Sequence, residues 1–112
     1  MVNVCIVFQR TIDILKIDVE GDEWLSLHQM ISAGALDGVK QISMETHFGR
    51  THHAIPKYWG NENSYKPLSA LRRLYESGFR TFMRERNIWS FQPWPGIRGL
   101  IANVNEISLI KI

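Results

Sequence analysis

The alternation of apolar and polar positions first becomes regular at Ile12 to Val19, where Ile12, Ile14, Leu15, Ile17 and Val19 are interrupted by Asp13, Lys16 and Asp18. The length and β-branched content of this run predict a strand covered on both faces, ended by the Glu20-Gly21 step. A helix should follow. Trp24, Leu27 and Ile31 recur at helical spacing, Gly34 stops the pattern, and Asp22 and Glu23 fall in the first turn, where carboxylates complement the positive end of the helix dipole. Asp37-Gly38 marks a turn, and Val39 to Glu45 reads as a second strand through Val39, Gln41, Ile42, Ser43 and Met44. Strand, helix and strand at this spacing imply a parallel pair joined by a right-handed crossover.

From Gly49 to Lys66 the chain is polar and broken by Gly49, Pro56 and Gly60, a long loop of the kind that carries function. Pro67 to Ser77 predicts a second helix, with Pro at its start, Leu68, Leu71, Leu74 and Tyr75 as its apolar positions, and Gly78 at its stop. Phe79 to Arg86 alternates as a strand, with Phe79, Thr81 and Met83 on one side and Arg80, Phe82 and Arg84 on the other. Asn87 to Gly99 reads as a connector, Leu100 to Val104 as the start of another strand, and Ile107 to Ile112 as a last apolar strand. The expected order is β, α, β, long loop, α, β, loop, β, with parallel pairing first and antiparallel pairing last.

Composition adds exclusions. At 112 residues and 45% hydrophobic, the chain can bury one core, which argues against a disordered segment. It contains no apolar run near the roughly 20 residues of a membrane span, so no membrane-spanning segment is expected. The opening MVNVCIVFQR is too short in its apolar part and too poorly flanked for a signal peptide. Cys5 is the sole cysteine and permits neither an internal disulfide nor a cysteine-based zinc site. Charge is asymmetric: residues 1–49 carry seven acids and three bases, and residues 50–112 carry ten bases and four acids. Arg72, Arg73, Arg80, Arg84, Arg86 and Arg98 do not fall in a recognised nucleic-acid motif, so they read as solvated surface and no nucleic-acid partner is expected.

The string LKIDVEGDEW, Leu15 to Trp24, resembles the K-I-D-x-E-G-x-E signature of FkbM-type methyltransferase-like proteins, which have the class I S-adenosylmethionine-dependent fold. QISMETHF, Gln41 to Phe48, resembles the next core strand of those relatives, closed by an acid and a His, and Glu106 to Ile110 resembles their closing strand. The resemblance implies an α/β fold: the C-terminal half of a Rossmann-like class I methyltransferase sheet, three-layer α/β/α, with parallel strands followed by an antiparallel closing strand. It treats residues 1–112 as one partial domain, with 1–10 an N-terminal extension and 11–112 matching strands four to seven. The glycines never form a G-x-G-x-x-G cluster, so the turn that holds the cofactor in the first half of such folds has no counterpart in this sequence. The resemblance therefore implies a methyltransferase-like domain that is inactive alone, whose parent methylates an oxygen or nitrogen of a small molecule or sugar, with S-adenosylmethionine as cofactor.

Ligands of open α/β sheets bind outside the carboxyl ends of the parallel strands. Asp18 and Glu20 end the first predicted strand, and Glu45 and His47 end the second. These four are the expected catalytic groups, because a carboxylate or imidazole there can take a proton from a hydroxyl or amide. Asp18 is also the expected cofactor contact. The plainer alternative for Asp18 and Glu20 is capping of the following helix. Trp59, His52 and His53 in the long loop are the expected substrate contacts, whereas Trp24, on a helical stripe, belongs to the core. Lys16 lies within the strand and needs a partner such as Asp13.

Two other functions compete. A half-sheet leaves an edge exposed, which allows self-association or a non-catalytic interaction role. Asp18, Glu45, His47, His52 and His53 mix carboxylate and imidazole donors, as a metal-dependent hydrolase requires. No paired spacing such as H-E-x-x-H accompanies them, and no metal is assigned at this level.

Overall fold

The computed structural model describes residues 11–47, 66–93 and 98–112. The expected substrate contacts His52, His53 and Trp59 lie outside the described residues, as does most of the predicted long loop. The elements are β1 (Ile12–Ile17), α1 (Glu23–Ser32), β2 (Val39–His47), α2 (Lys66–Glu76), β3 (Phe79–Arg86), β4 (Phe91–Pro93), β5 (Leu100–Ala102) and β6 (Val104–Lys111), with a short 3-10 turn at Ile88–Ser90.

The main sheet has the order β1-β2-β6-β3, and β4 and β5 form a separate two-stranded ribbon. Strands β1 and β2 are parallel, with Ile14 opposite Gln41 and Ile17 opposite Met44. Strand β6 runs antiparallel to both its neighbours, β2 and β3, so β1, β2 and β3 all point the same way. The last strand in sequence is thus inserted between β2 and β3. The fold is α/β with a mixed sheet, consistent with a partial Rossmann-like methyltransferase fold.

Local chemistry explains the helix limits. Helix α1 ends at Gly34 in the left-handed region, φ 72, while the N–H of Gly34 donates to the Ile31 carbonyl and that of Ala35 to the Met30 carbonyl. This pair of bonds is a Schellman stop, which a glycine adopts without Cβ strain. Gly78, φ 99, ends α2 in a related way, its N–H donating to the Tyr75 carbonyl.

The core gathers Trp24 and Leu27 of α1, Ala70 and Leu74 of α2, Ile42 and Met44 of β2, Ile107 and Leu109 of β6, and Phe79 of β3. The helices are also tied directly. Arg73 donates from one terminal nitrogen to His28 Nδ1 at 3.0 Å and to the His28 carbonyl at 3.3 Å, and from the other to Ser32 Oγ at 3.0 Å. Because His28 Nδ1 accepts, Nε2 carries the proton that it donates to the Lys66 carbonyl at 3.3 Å.

Four expectations are corrected. Strand β1 is not covered on both faces: Ile14 is 62% exposed, because β1 sits at an edge of the described sheet and α1 and α2 pack together over the single core. Lys16 pairs with Glu106 at 3.4 Å, two strands away, while Asp13 pairs with Lys40 at 3.0 Å. Strand β2 continues past Glu45 to His47, and the closing strand starts at Val104 rather than Ile107, so Leu100 to Val104 is split between two strands. In β3 the alternation slips at a bulge between Thr81 and Met83, leaving Phe82 and Met83 both exposed. Among the described residues, no helix is long and apolar enough to cross a membrane.

Candidate functional site

The carboxyl ends of β1 and β2 open on the same edge of the sheet, and the chain between β1 and α1 turns there. The turn is tight. The Asp22 N–H donates to the Val19 carbonyl at 3.2 Å, and both residues between them have positive φ, Glu20 at 55 and Gly21 at 102. A left-handed Glu carries a strain of about 1 kcal/mol or more, and this backbone turns Glu20 back toward β2. Asp22, rather than Asp18 or Glu20, occupies the N-cap position of α1, and it makes no side-chain capping bond.

The centre of the arrangement is Glu23, the first residue of α1, which is fully buried. Its Oε1 accepts from the His47 backbone N–H at 2.6 Å and from His47 Nδ1 at 3.1 Å, and its Oε2 accepts from the Gly21 N–H at 2.8 Å. A buried carboxylate persists only where donors replace its water, and three N–H groups do so here. Trp24, next in the helix, donates its indole N–H to the His47 carbonyl at 3.1 Å. Two consecutive residues of α1 therefore clamp the end of β2 by its main chain and its ring.

This clamp orients His47. The imidazole is buried, its Nδ1 committed to Glu23, and its Nε2 lies 3.4 Å from Glu45 Oε1 and 3.9 Å from Glu20 Oε2. The hydrogen bond to Glu23 raises the His47 pKa above its ordinary value, against the opposing effect of burial, and the charges of Glu23, Glu45 and Glu20 act in the same direction. Glu45 is also pushed above the ordinary carboxyl range, first by burial and then by the negative charge of Asp18, with His47 opposing. Asp18, Glu20 and His47 each bring one donor atom into a cluster spanning 4.8 Å, with both acids exposed and the His buried.

The structure therefore brings together the four residues expected from the sequence to act at this end, Asp18, Glu20, Glu45 and His47. Glu23, expected only to complement the helix dipole, turns out to be the group that holds His47 in place. Its signal was present in the sequence: Glu23 is the final acid of the E-G-x-E string, and a charged residue one position before an apolar stripe invites a search for donors rather than solvent.

A family model described as a methyltransferase domain matches residues 3–93, most of the chain. The chain belongs to this methyltransferase-domain family. No curated protein and no solved structure matches it. The match covers β1, α1, β2, α2, β3 and β4, and thus every residue of the Asp18, Glu20, Glu23, Glu45 and His47 group in this methyltransferase domain.

Proposed function

We propose that this domain serves S-adenosylmethionine-dependent methyl transfer to an oxygen or nitrogen of a small molecule or sugar, with the carboxyl edge of β1 and β2 as its site. The observation that carries the reading is the clamped His47, held by Glu23 with its second ring nitrogen turned toward Glu45 and Glu20 at the strand ends, where open α/β sheets bind ligands. The donor chemistry suits the cofactor's cationic end. Asp18 and Glu20 are exposed carboxylates able to pair with an ammonium, and the space where a Cβ on Gly21 would stand is open.

When bound, S-adenosylmethionine supplies an electrophilic methyl group. This chain's residues then have distinct tasks. Asp18 holds the cofactor amine, Glu45 and His47 take the proton of the acceptor's hydroxyl or amide, and Glu20 completes the acidic rim that orients a polar acceptor. The raised pKa of Glu45 suits such a task, because a carboxylate becomes a better base as its pKa approaches the working pH.

The same reading takes β1, β2, β3 and β6 as strands four to seven of the class I sheet, within one partial domain over residues 11–112. The order β1-β2-β6-β3, with only β6 reversed, supports that correspondence, and the LKIDVEGDEW string supports the FkbM-type relation. Without a glycine-rich turn, the 112-residue chain alone binds cofactor weakly and turns over little. The test is calorimetric titration of the folded chain with S-adenosylmethionine and with S-adenosylhomocysteine. Saturable binding that Asp18→Asn weakens tenfold or more supports the assignment. Saturable binding that is indifferent to Asp18→Asn refutes it, whereas a folded chain that gives no binding signal with either ligand supports the partial-domain reading. Turnover by the chain alone at an ordinary enzymatic rate overturns the half-sheet correspondence.

A further inference from the structure

Among the described residues, the polar groups around His47 Nε2 are all of one kind. Glu23 is an acceptor, so the His47 Nδ1 facing Oε1 carries the ring proton. In the neutral ring Nε2 is then a lone pair, buried with the rest of the side chain, whose facing neighbours are Glu45 Oε1 at 3.4 Å and Glu20 Oε2 at 3.9 Å. Acceptor faces acceptor. Either a proton on Nε2 or a metal ion between the groups relieves this repulsion, and Asp18 contributes a further exposed carboxylate to the same space, which gives a metal ion more donors than a proton needs.

We propose that Asp18, Glu20 and His47 bind one divalent transition-metal ion through two carboxylate oxygens and His47 Nε2, with Glu23 fixing the imidazole from behind. A carboxylate accepting the remote N–H of a metal-binding His is the usual device that sets the ring's tautomer and orientation, and Glu23 stands in that relation to His47. The distances permit it. Ligand bonds of about 2.0–2.2 Å place donor atoms roughly 3–4 Å apart around one ion, and the three donors already lie within 4.8 Å of one another. The remaining adjustment falls on Asp18 and Glu20, whose exposed side chains rotate freely, while the buried His47 stays where Glu23 and Trp24 hold it. A mixed nitrogen and oxygen set favours Mn²⁺, Fe²⁺, Co²⁺ or Zn²⁺ over Ca²⁺ or Mg²⁺, which prefer oxygen alone. Only three protein donors are used, leaving positions on the ion open to water or a ligand oxygen. In the methyl-transfer reading, which this proposal does not need, the open position suits an acceptor oxygen, whose pKa the ion lowers; with the ion bound, His47 has no free ring nitrogen, so Glu45 alone takes the proton, and Asp18 reaches the cofactor amine only with its second oxygen.

The experiment uses the full chain, stripped with a chelator and dialysed, and titrated with MnCl₂ without S-adenosylmethionine; ion content is measured by elemental analysis and binding by the electron paramagnetic resonance of free Mn²⁺. One Mn²⁺ per chain is expected, with micromolar affinity at least tenfold tighter than for Mg²⁺. Asp18→Asn and Glu20→Gln, both exposed and neutral for folding, should each weaken binding tenfold or more with an unchanged circular dichroism spectrum. Retention of full affinity by the Asp18→Asn/Glu20→Gln double variant overturns the proposal, because the ion then sits elsewhere. So does a folded wild-type chain that binds less than a tenth of an equivalent at millimolar Mn²⁺, since the proton alone then resolves the clustered acceptors. Cofactor binding is scored separately, so loss of one function does not imply loss of the other.

Discussion

Replacing Glu23 with Ala removes the acceptor for two buried donors, the backbone N–H and the Nδ1–H of His47, and for the half-buried N–H of Gly21. A buried donor left without a partner costs roughly 1–3 kcal/mol. Two of them amount to about 2–6 kcal/mol, and the Gly21 N–H recovers most of its loss from water. Removal of a first-turn carboxylate adds about 0.5 kcal/mol through the helix dipole. The expected destabilisation is about 4 kcal/mol, a large part of the roughly 5–15 kcal/mol that holds a domain of this size folded. Urea unfolding followed by Trp fluorescence reads it directly, because Trp24 is fully buried beside Glu23 and donates to the same His47. At roughly 2 kcal/mol per molar of urea, the midpoint should fall by about 2 M. Glu20→Gln, at an exposed position in the same cluster, should move it by less than about 0.3 M. If Glu23→Ala and Glu20→Gln shift the midpoint equally, Glu23 does not hold His47 and the account of the site fails.

Three further outcomes follow from the same structure. Arg73→Ala cuts the hydrogen bonds from α2 to His28 and Ser32 of α1 and should cost about 1–2 kcal/mol, lowering Tm by roughly 5–10 °C in calorimetry; an unchanged Tm would show that the helices are held by the core alone. Gly21→Ala meets open space but a φ of +102, so the cost is backbone strain alone, about 1–2 kcal/mol by urea titration; a neutral result would mean that the turn relaxes. Asn103, buried between β5 and β6, has neither amide atom paired among the described residues, so Asn103→Val, close to it in volume, should be neutral or raise stability by about 1 kcal/mol. A loss above 1 kcal/mol would reveal a partner for that amide.

Most elements are legible from residue order, because their signals are local. Alternation and β-branched residues mark β1 and β2, the Trp24 and Leu27 spacing marks α1, and Gly34 and Gly78 end both helices through backbone conformations that depend on the glycines themselves. Residue order also located four of the five clustered side chains, since parallel strands deliver their carboxyl ends to one edge and Asp18, Glu20, Glu45 and His47 follow from that rule. The rest depends on long-range packing. The insertion of β6 between β2 and β3 pairs residues some sixty positions apart, such as Thr46 and Asn105, and no local pattern encodes which neighbour a strand will choose. Lys16 found Glu106 instead of Asp13 for the same reason. Glu23 is the sharpest case: in sequence it is one more acid at a helix start, and it becomes the acceptor that orients His47 only when packing removes its water and the end of β2 supplies the N–H groups to replace it.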